Sequence, residues 1–155
     1  MNYDVYKDEL VVQEIIKGKP ELIVLNPLYI NFFRLDGMEF VNTESFDFEV
    51  VPQNSGYYRI LYRGDLIMLR KYRKDLEETG NSRGTVFESD NRDYLVYRGD
   101  FYEVKGNSGI VTLFPEHKKE IRSYLRANKI IVRSADLNQV ISLVRFCEQL
   151  ISNKE

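Results

Sequence analysis

The sequence predicts an α+β fold in which a bent antiparallel β-sheet of hairpins is followed by two C-terminal helices. The first observation behind this prediction is the stretch 57–73, where two apolar runs flank Arg63-Gly64-Asp65. The second is that the same arrangement returns in residues 95–104, around Arg98-Gly99-Asp100. Glycine beside aspartate between two β-prone runs indicates a hairpin, because glycine adopts positive φ without a steric penalty. The third is a change to helical spacing after Phe114, and strands followed by helices are typical of α+β domains.

The N-terminal part is predicted to consist of strands and tight turns. Residues 3–16 are rich in β-branched side chains, which favour strands, and Gly18-Lys19-Pro20 has the composition of a turn. A third hairpin turn is predicted at Asp36-Gly37. The strands expected in this part are 3–16, 21–25, 28–35, 38–42 and 46–51.

Residues 77–92 are polar and rich in turn-forming types, which predicts a mobile loop between two groups of strands. A meander is expected to follow, with strands at 93–98, 101–105 and 110–114. Gly106-Asn107-Ser108-Gly109 separates the last two strands and has the composition of a tight turn.

Two helices are predicted after the meander. Pro115 suits the first turn of a helix over 115–128, because proline lacks the N–H that this turn leaves unpaired. A short extended piece is expected at 130–132, before a second helix over 136–151 in which Asp136 and Gln139 form a capping box. The second helix has two apolar rows, Leu137, Val140, Ile141, Val144, Cys147 and Ile151 in one and Leu143, Phe146 and Leu150 in the other. Such a helix is expected to be covered on both sides, inside the fold or in a homodimer through this helix.

Length and composition predict one globular domain. The chain has 155 residues, 43% of them hydrophobic and 30% charged, which is sufficient for a buried core. We expect the domain to span 1–155, with strands over 3–114 and helices over 115–151. No apolar run reaches the roughly 20 residues that span a bilayer. The first fifteen residues lack the basic and apolar regions of a signal peptide.

The charges argue against nucleic acid as a partner. The net charge of −2 provides no long-range attraction for a polyanion. The charges are unevenly distributed, since 36–58 contains five acids and no base, whereas 59–74 contains six bases and one acid. Opposite charges on neighbouring strands predict cross-strand ion pairs. The alternative interpretation of the basic stretch 69–74 is a groove for single-stranded nucleic acid.

Aromatic side chains are frequent and supply the candidate binding residues. The chain contains eleven Tyr and nine Phe, which suit strands, and tyrosine is also enriched at interfaces. We therefore expect a non-catalytic protein that binds a protein partner or a small molecule through an aromatic-rich sheet surface, without a cofactor or metal. The candidate residues are Tyr57, Tyr58, Tyr62, Arg63, Tyr72, Tyr97 and Tyr102.

The sequence contains no complete catalytic or metal-binding pattern. His117, the only histidine, is expected to be solvated near Glu120, because a zinc site needs three or four ligands. Cys147, the only cysteine, is expected to be a buried and unreactive thiol. The enzyme alternative is a carboxylate-dependent hydrolase that acts on an envelope or carbohydrate substrate. Its candidate residues are Asp36, Glu39, Asp47 and Glu49.

Several segments of the C-terminal third form a recognisable pattern. They are Leu113-Phe114-Pro115-Glu116-His117-Lys118-Lys119-Glu120-Ile121, Ser123-Tyr124-Leu125-Arg126-Ala127-Asn128-Lys129, Ala135-Asp136-Leu137-Asn138-Gln139-Val140-Ile141 and Val144-Arg145-Phe146-Cys147. This pattern resembles the tail of a large group of exported proteins from Bacteroides-type bacteria, and residues 26–40 and 93–104 are similar to strands of that group. The resemblance implies a β-rich body with a two-helix tail and export to the periplasm or cell envelope after removal of a leader. Without a leader, the chain is expected in the cytoplasm. The resemblance defines no activity and no site residues.

Overall fold

The fold class is α+β, as the sequence predicts, with strands first and the long helices last. The computed structural model describes residues 1–45, 55–78 and 85–152, and only the backbone of Ser45, 75–78 and 85–88. The strands are β1 (Asn2–Asp4), β2 (Glu9–Ile16), β3 (Lys19–Val24), β4 (Phe32–Leu35), β5 (Met38–Asn42), β6 (Tyr57–Arg63), β7 (Ile67–Lys71), β8 (Lys74–Glu78), β9 (Thr85–Ser89), β10 (Arg92–Tyr97) and β11 (Asp100–Glu103). The helices are α1 (Asn107–Leu113), α2 (Lys118–Ala127) and α3 (Leu137–Ser152), with short 3₁₀ helices at Pro27–Tyr29, Thr43–Ser45 and Pro115–His117.

The strands form three sheets within the described residues. The first has the order β1-β2-β3, the second β11-β10-β7-β6-β5-β4, and the third pairs β8 with β9. The registered pairs are antiparallel, for example Phe33 opposite Phe40 and Leu95 opposite Tyr102. The hairpin-built sheet that the sequence predicts is therefore present.

Two of the predicted hairpin turns have the expected backbone conformation. Asp36 and Gly37 have φ of 49° and 74°, and Arg98 and Gly99 have φ of 53° and 84°. Consecutive positive φ values are typical of the two-residue turns that match the twist of a hairpin. Gly64 also connects two strands, but it is not among the glycines with positive φ. Its lack of a side chain matters for space, because a Cβ would overlap Oε1 of Glu148.

The prediction of a strand at 110–114 is wrong, and so is the tight turn at 106–109. Asn107 begins helix α1, and Gly106 precedes it with φ 82°. The Asn107 side chain donates to the Ile130 carbonyl at 3.0 Å and accepts from the Val132 N–H at 2.7 Å. Ile110 is 1% exposed. Tertiary contacts therefore override the β-branched composition of this segment, since strand propensity depends strongly on context.

Other boundaries also differ from the prediction. The stretch 3–16 forms two strands, and the turn after β2 lies at Lys17 and Gly18, both with positive φ, so that the predicted turn residues Lys19 and Pro20 begin β3. Part of the predicted strand 28–35 is a 3₁₀ helix, and part of the predicted loop 77–92 pairs as β8 and β9. Residues 130–132 are not a strand. The predicted strand 46–51 lies outside the described residues.

The C-terminal helices are confirmed. The Gln139 N–H donates to Asp136 Oδ1 at 2.9 Å, and the Asp136 N–H donates to Gln139 Oε1 at 3.2 Å, which is the predicted capping box. Of the two apolar rows on α3, the side chains that are buried are Val140, Leu143, Val144 and Cys147. The prediction of a homodimer through this helix stays a prediction.

The chain divides into two compact units, Met1–Arg59 with Lys71–Arg92 and Ile60–Arg70 with Asp93–Glu155. The single domain expected from the sequence stays a prediction. The core of the first unit is small and mostly aromatic, and consists of Tyr3, Leu10, Phe33, Phe40 and Tyr57. The core of the second is larger and mainly aliphatic, and consists of Leu66, Met68, Leu95, Val104, Ile110, Val111, Phe114, Ile121, Leu125, Ile130, Val132, Val140, Leu143, Val144 and Cys147.

Candidate functional site

Two of the candidate tyrosines are buried in the first unit, and one of them, Tyr57, belongs to its aromatic core. Tyr57 is 2% exposed and Tyr58 is fully buried. The Tyr57 ring is edge-on to that of Phe33, with centroids 5.0 Å apart, and Nζ of Lys71 lies 5.0 Å from the centroid of Tyr58. In this conformation neither ring is on an open sheet face.

Three further candidate tyrosines use their hydroxyl groups inside the protein. Tyr62, Tyr72 and Tyr102 are all half-buried. Tyr62 donates to Glu148 Oε2, Tyr72 accepts from Arg59 Nη1 at 2.8 Å, and Tyr102 donates to Asp100 Oδ2 at 3.2 Å. Arg63 is exposed at the end of β6.

Tyr97 is the candidate residue that lines a pocket. The Tyr97 pocket has a volume of about 380 Å³ and is lined by Tyr97, Arg98, residues 113–117 and Ile151. The rings of Tyr97 and Phe114 are tilted against each other with centroids 5.6 Å apart, which gives the pocket an aromatic wall. A cavity with apolar walls and a few polar groups is the usual form of a small-molecule site.

Arg98 supplies a cation to the Tyr97 pocket. It is the first residue of the β10–β11 turn, and its guanidinium lies over the Tyr97 ring at 5.0 Å from the centroid. The position favours asparagine or aspartate, because their short side chains tolerate a positive φ better than a long one does. Asp36 occupies the matching position of the β4–β5 turn. Lys17 precedes Gly18 in the β2–β3 turn in the same way, so a long basic side chain at this position is not specific to the pocket.

His117 supplies a second polar group, and the prediction that it is solvated is wrong. The residue is only 9% exposed, because the 3₁₀ turn Pro115–His117 packs its side chain beside Phe114 and Ile151 in the wall of the pocket. Within the described residues no side-chain hydrogen bond or ion pair involves His117, and its ring nitrogens are not among the fully buried atoms that lack a partner, so they reach solvent from the pocket wall. No local sequence signal locates this site, since Lys17-Gly18 has the same pattern as Arg98-Gly99 in a different turn.

A different polar cluster lies inside the first unit, around Asp8. The Asp8 carboxylate accepts from the Tyr3 hydroxyl and from Lys71 Nζ, the latter at 2.5 Å. Nζ also donates to the carbonyl oxygens of Tyr57 at 3.2 Å and Ser55 at 3.4 Å. Lys71 is 5% exposed, so its ammonium is buried but satisfied. The sequence does not predict this cluster, because no local pattern relates Asp8 and Lys71, which are 63 positions apart.

The electrostatics of this cluster follow from its burial. Burial lowers the pKa of Lys71, while the Asp8 carboxylate acts in the opposite direction. Burial, and then the Asp8 carboxylate, raise the pKa of Tyr3 far above its ordinary value. Perturbed groups can mark catalytic sites, but structural networks perturb them as well. Lys71 and Asp8 form hydrogen bonds with Tyr57 and Tyr3, which belong to the core of the first unit. We therefore assign a structural role to this cluster.

The remaining candidate groups that the structure describes do not form an assembled site. Asp36 is exposed in its turn, and Glu39 pairs with Arg34 at 3.4 Å, while Asp47 and Glu49 lie outside the described residues. Cys147 is buried as predicted, and burial raises its pKa to about 12. Within the described ranges there is no group of three or more His, Cys, Asp or Glu residues that could hold a metal.

Comparison of the chain with protein-family models, curated proteins and solved structures gives no match. In the part of the chain that the structure describes, no helix combines the length and the apolar character needed to cross a membrane. The assignment of a site therefore rests on geometry and chemistry alone.

Proposed function

We propose that this chain is a non-catalytic binding protein that holds a small, largely apolar ligand in the Tyr97 pocket. The observation that supports the proposal is the meeting of an aromatic wall, a guanidinium and an unpaired, mostly buried imidazole in one cavity. Of the candidate binding residues predicted from the sequence, Tyr97 belongs to this proposed site. Phe114 and His117 also belong to it, although the sequence does not single them out as binding residues.

The sole histidine allows a direct test of binding. An NMR spectrum of the imidazole contains one set of signals from the folded chain, so a ligand in the Tyr97 pocket can be followed without assignment. We expect small aromatic compounds such as phenylacetamide to shift the His117 signals in a saturable manner at millimolar concentration. Linear, non-saturating shifts from every compound of an aromatic series would contradict the proposal.

A pocket-filling variant provides the matched control. Ile151 lines the Tyr97 pocket and is half-buried, whereas Gln149 lies two positions earlier on α3 and is exposed. Ile151→Trp should fill the cavity and abolish the saturable shift, while Gln149→Trp should leave it unchanged. Equal binding by both variants would place the ligand elsewhere.

The cellular location is also part of the proposal. The resemblance to exported proteins motivates a periplasmic or cell-envelope location. Fractionation of cells that produce the full-length gene product, with immunodetection of the chain, tests this. Recovery of the chain with soluble cytoplasmic proteins would remove the location from the proposal and leave ligand binding intact.

A second candidate function is the binding of an extended peptide along β3. Most of the exposed large apolar side chains occur in residues 1–32, among them Ile15, Leu22 and Val24, which are 75%, 75% and 52% exposed. In the β2–β3 register, Leu22 is opposite Gln13 and Val24 is opposite Val11, so these residues share one face. β3 is also an edge strand of its sheet. An open edge with an apolar face can accept an added strand.

The peptide function can be tested by hydrogen exchange. A peptide with alternating valine and threonine, flanked by lysines for solubility, should protect the β3 amides of the native chain. Leu22→Asp should weaken this protection, whereas the same change at the exposed Leu28, outside the strand, should not. Unchanged β3 exchange at saturating peptide would reject this function.

A further inference from the structure

We infer that the ligand of the Tyr97 pocket is an aromatic monocarboxylate, an inference that rests on the proposed function and extends it to a chemical class. The pocket volume of about 380 Å³ is near the lower end of small-molecule sites, which are roughly 300–1,000 Å³. It therefore suits a compound with a single ring. The walls and the polar groups then determine which substituent the ring carries.

Arg98 selects for a carboxylate. A guanidinium presents a planar fork of N–H donors that matches the two oxygens of a carboxylate. Its contact with the Tyr97 ring, with the guanidinium carbon 5.0 Å from the centroid, is a cation–π contact and not a hydrogen bond. Among the described residues no hydrogen bond or ion pair occupies its N–H groups, which are therefore available to a ligand. Because the residue is exposed, these donors are not buried by the fold itself.

His117 provides the second hydrogen bond. A neutral imidazole has one donor and one acceptor nitrogen. In this buried side chain, neither has a partner among the described residues. A ligand oxygen that accepts from the imidazole would replace solvent as its hydrogen-bond partner. The two donors come from different elements, the β10–β11 turn and the 3₁₀ helix Pro115–His117, so they can hold one ligand from two directions.

The remaining groups set the charge and shape of the ligand. Glu116 also lines the pocket and has an interaction of its own. A carboxylate beside the single cation disfavours a doubly charged ligand such as a phosphate monoester, because like charges repel. Phe114 and Leu113 form an apolar surface against which the ring of the ligand can pack. A singly charged aromatic acid fits all of these features.

The test compares phenylacetate with phenylacetamide, which has nearly the same shape but no charge. We expect phenylacetate to bind the native chain about tenfold or more tightly than phenylacetamide, because a hydrogen bond between two charged groups is stronger than one to a neutral group. The His117 imidazole signals report both titrations, at constant ionic strength and pH. Phenyl phosphate is the third ligand, and we expect it to bind more weakly than phenylacetate.

Variants of Arg98 isolate its contribution. Arg98→Asn and Arg98→Gln should each weaken phenylacetate binding about tenfold or more while leaving phenylacetamide unchanged. Asn is compatible with a positive φ, so the turn should persist, and the thermal midpoint verifies this. The matched control is Arg122→Gln, which removes the same charge from an exposed position of α2 outside the pocket and should leave both affinities unchanged.

The outcomes separate the two proposals. Equal binding of the acid and the amide, or an equal effect of Arg98→Gln and Arg122→Gln, would overturn the carboxylate assignment and leave the proposed function in place. Tighter binding of phenyl phosphate would also overturn it, in favour of a phosphate ligand. If none of the three compounds produces a saturable shift, both the carboxylate assignment and the pocket as binding site fail.

Discussion

In each unit a carboxylate contacts a glycine at one end of a strand, but the groups that donate to the two carboxylates differ. In each, a carboxylate lies against a glycine that has no room for a side chain, Asp8 at Gly56 in the first unit and Glu148 at Gly64 in the second. Asp8 accepts from a buried lysine, whereas Glu148 accepts from the Leu66 N–H at 3.0 Å and from a tyrosine hydroxyl. The carboxylate of the first unit is therefore in a buried ion pair, whereas that of the second accepts its hydrogen bonds from neutral donors, with Arg145 contributing only charge.

This difference is related to the apolar core available to each unit. The second unit packs three helices on its strands, and residues such as Leu143 and Val144 are fully buried. The first unit has a small aromatic core and exposes apolar side chains on β2 and β3. A buried ion pair contributes little net stability but is costly to break. We therefore expect the replacement of a single buried polar residue to lower the free energy of unfolding more in the first unit than in the second.

The largest expected effect comes from removing the buried ammonium. Lys71→Met leaves Asp8 without its cation, and breaking a buried pair costs about 3–5 kcal/mol. Asp8 retains 27% exposure of its side chain, so we expect a loss in unfolding free energy near the lower end of that range. Urea denaturation measures it. The control is Arg34→Met, which breaks the exposed Arg34–Glu39 pair and should cost less than about 1 kcal/mol. Similar losses for both variants would contradict the distinction between the units.

The two glycines provide the next comparison. Gly56→Ala should cost about 2–3 kcal/mol, because φ is 117° and the new Cβ would overlap Asp8 Oδ2 and lie 2.8 Å from Lys71 Nζ. Gly64→Ala meets only the flexible end of Glu148 and has no positive φ, so we expect a loss of about 1 kcal/mol. Thermal unfolding of both variants under one set of conditions tests the order. A larger loss for Gly64→Ala would reverse our view of which contact is tighter.

The sequence predicts those parts of the fold in which local chemistry agrees with tertiary structure. The turns at Asp36-Gly37 and Arg98-Gly99 and the capping box of α3 are local signals, and each is confirmed. Helix α1 could not be predicted, because Ile110 and Val111 favour strands in isolation. The helix starts at Asn107, whose side chain forms hydrogen bonds with the backbone of Ile130 and Val132, more than twenty positions away.

The candidate site is predictable only in part. The frequency of tyrosine directs attention to Tyr97, but composition does not distinguish it from Tyr57, which is buried in an aromatic cluster. His117 is also misjudged, because its helix begins with a 3₁₀ turn that directs the side chain inward. Whether each of these side chains is buried or lines a pocket depends on which face of its element packs on the core. The spacing of polar residues in the sequence does not specify that face.

Glu148 gives a pH-dependent test of the neutral-donor contact in the second unit. Burial would raise its pKa, but the Tyr62 hydroxyl, the backbone N–H groups and Arg145 together lower it below the usual 4.5. A carboxyl whose folded pKa is depressed stabilises the protein above its unfolded pKa and loses that contribution as the pH falls through the folded pKa. Glu148→Gln should therefore cost about 1.5 kcal/mol at pH 7. The difference from the native chain should shrink below pH 4.5, and a pH-independent difference would exclude this origin.

The smallest expected effect is a gain in stability, and it concerns a hydroxyl that the aromatic core of the first unit leaves unpaired. The Tyr57 hydroxyl is buried without a hydrogen bond to any described residue, whereas the neighbouring Tyr3 hydroxyl donates to Asp8. Removing an unsatisfied buried polar group recovers part of its desolvation cost, so Tyr57→Phe should raise the unfolding free energy by up to about 1 kcal/mol. Tyr3→Phe is the matched control and should lower it, because Asp8 loses a donor. Equal effects of the two substitutions in urea denaturation would mean that both hydroxyls, or neither, are paired in solution.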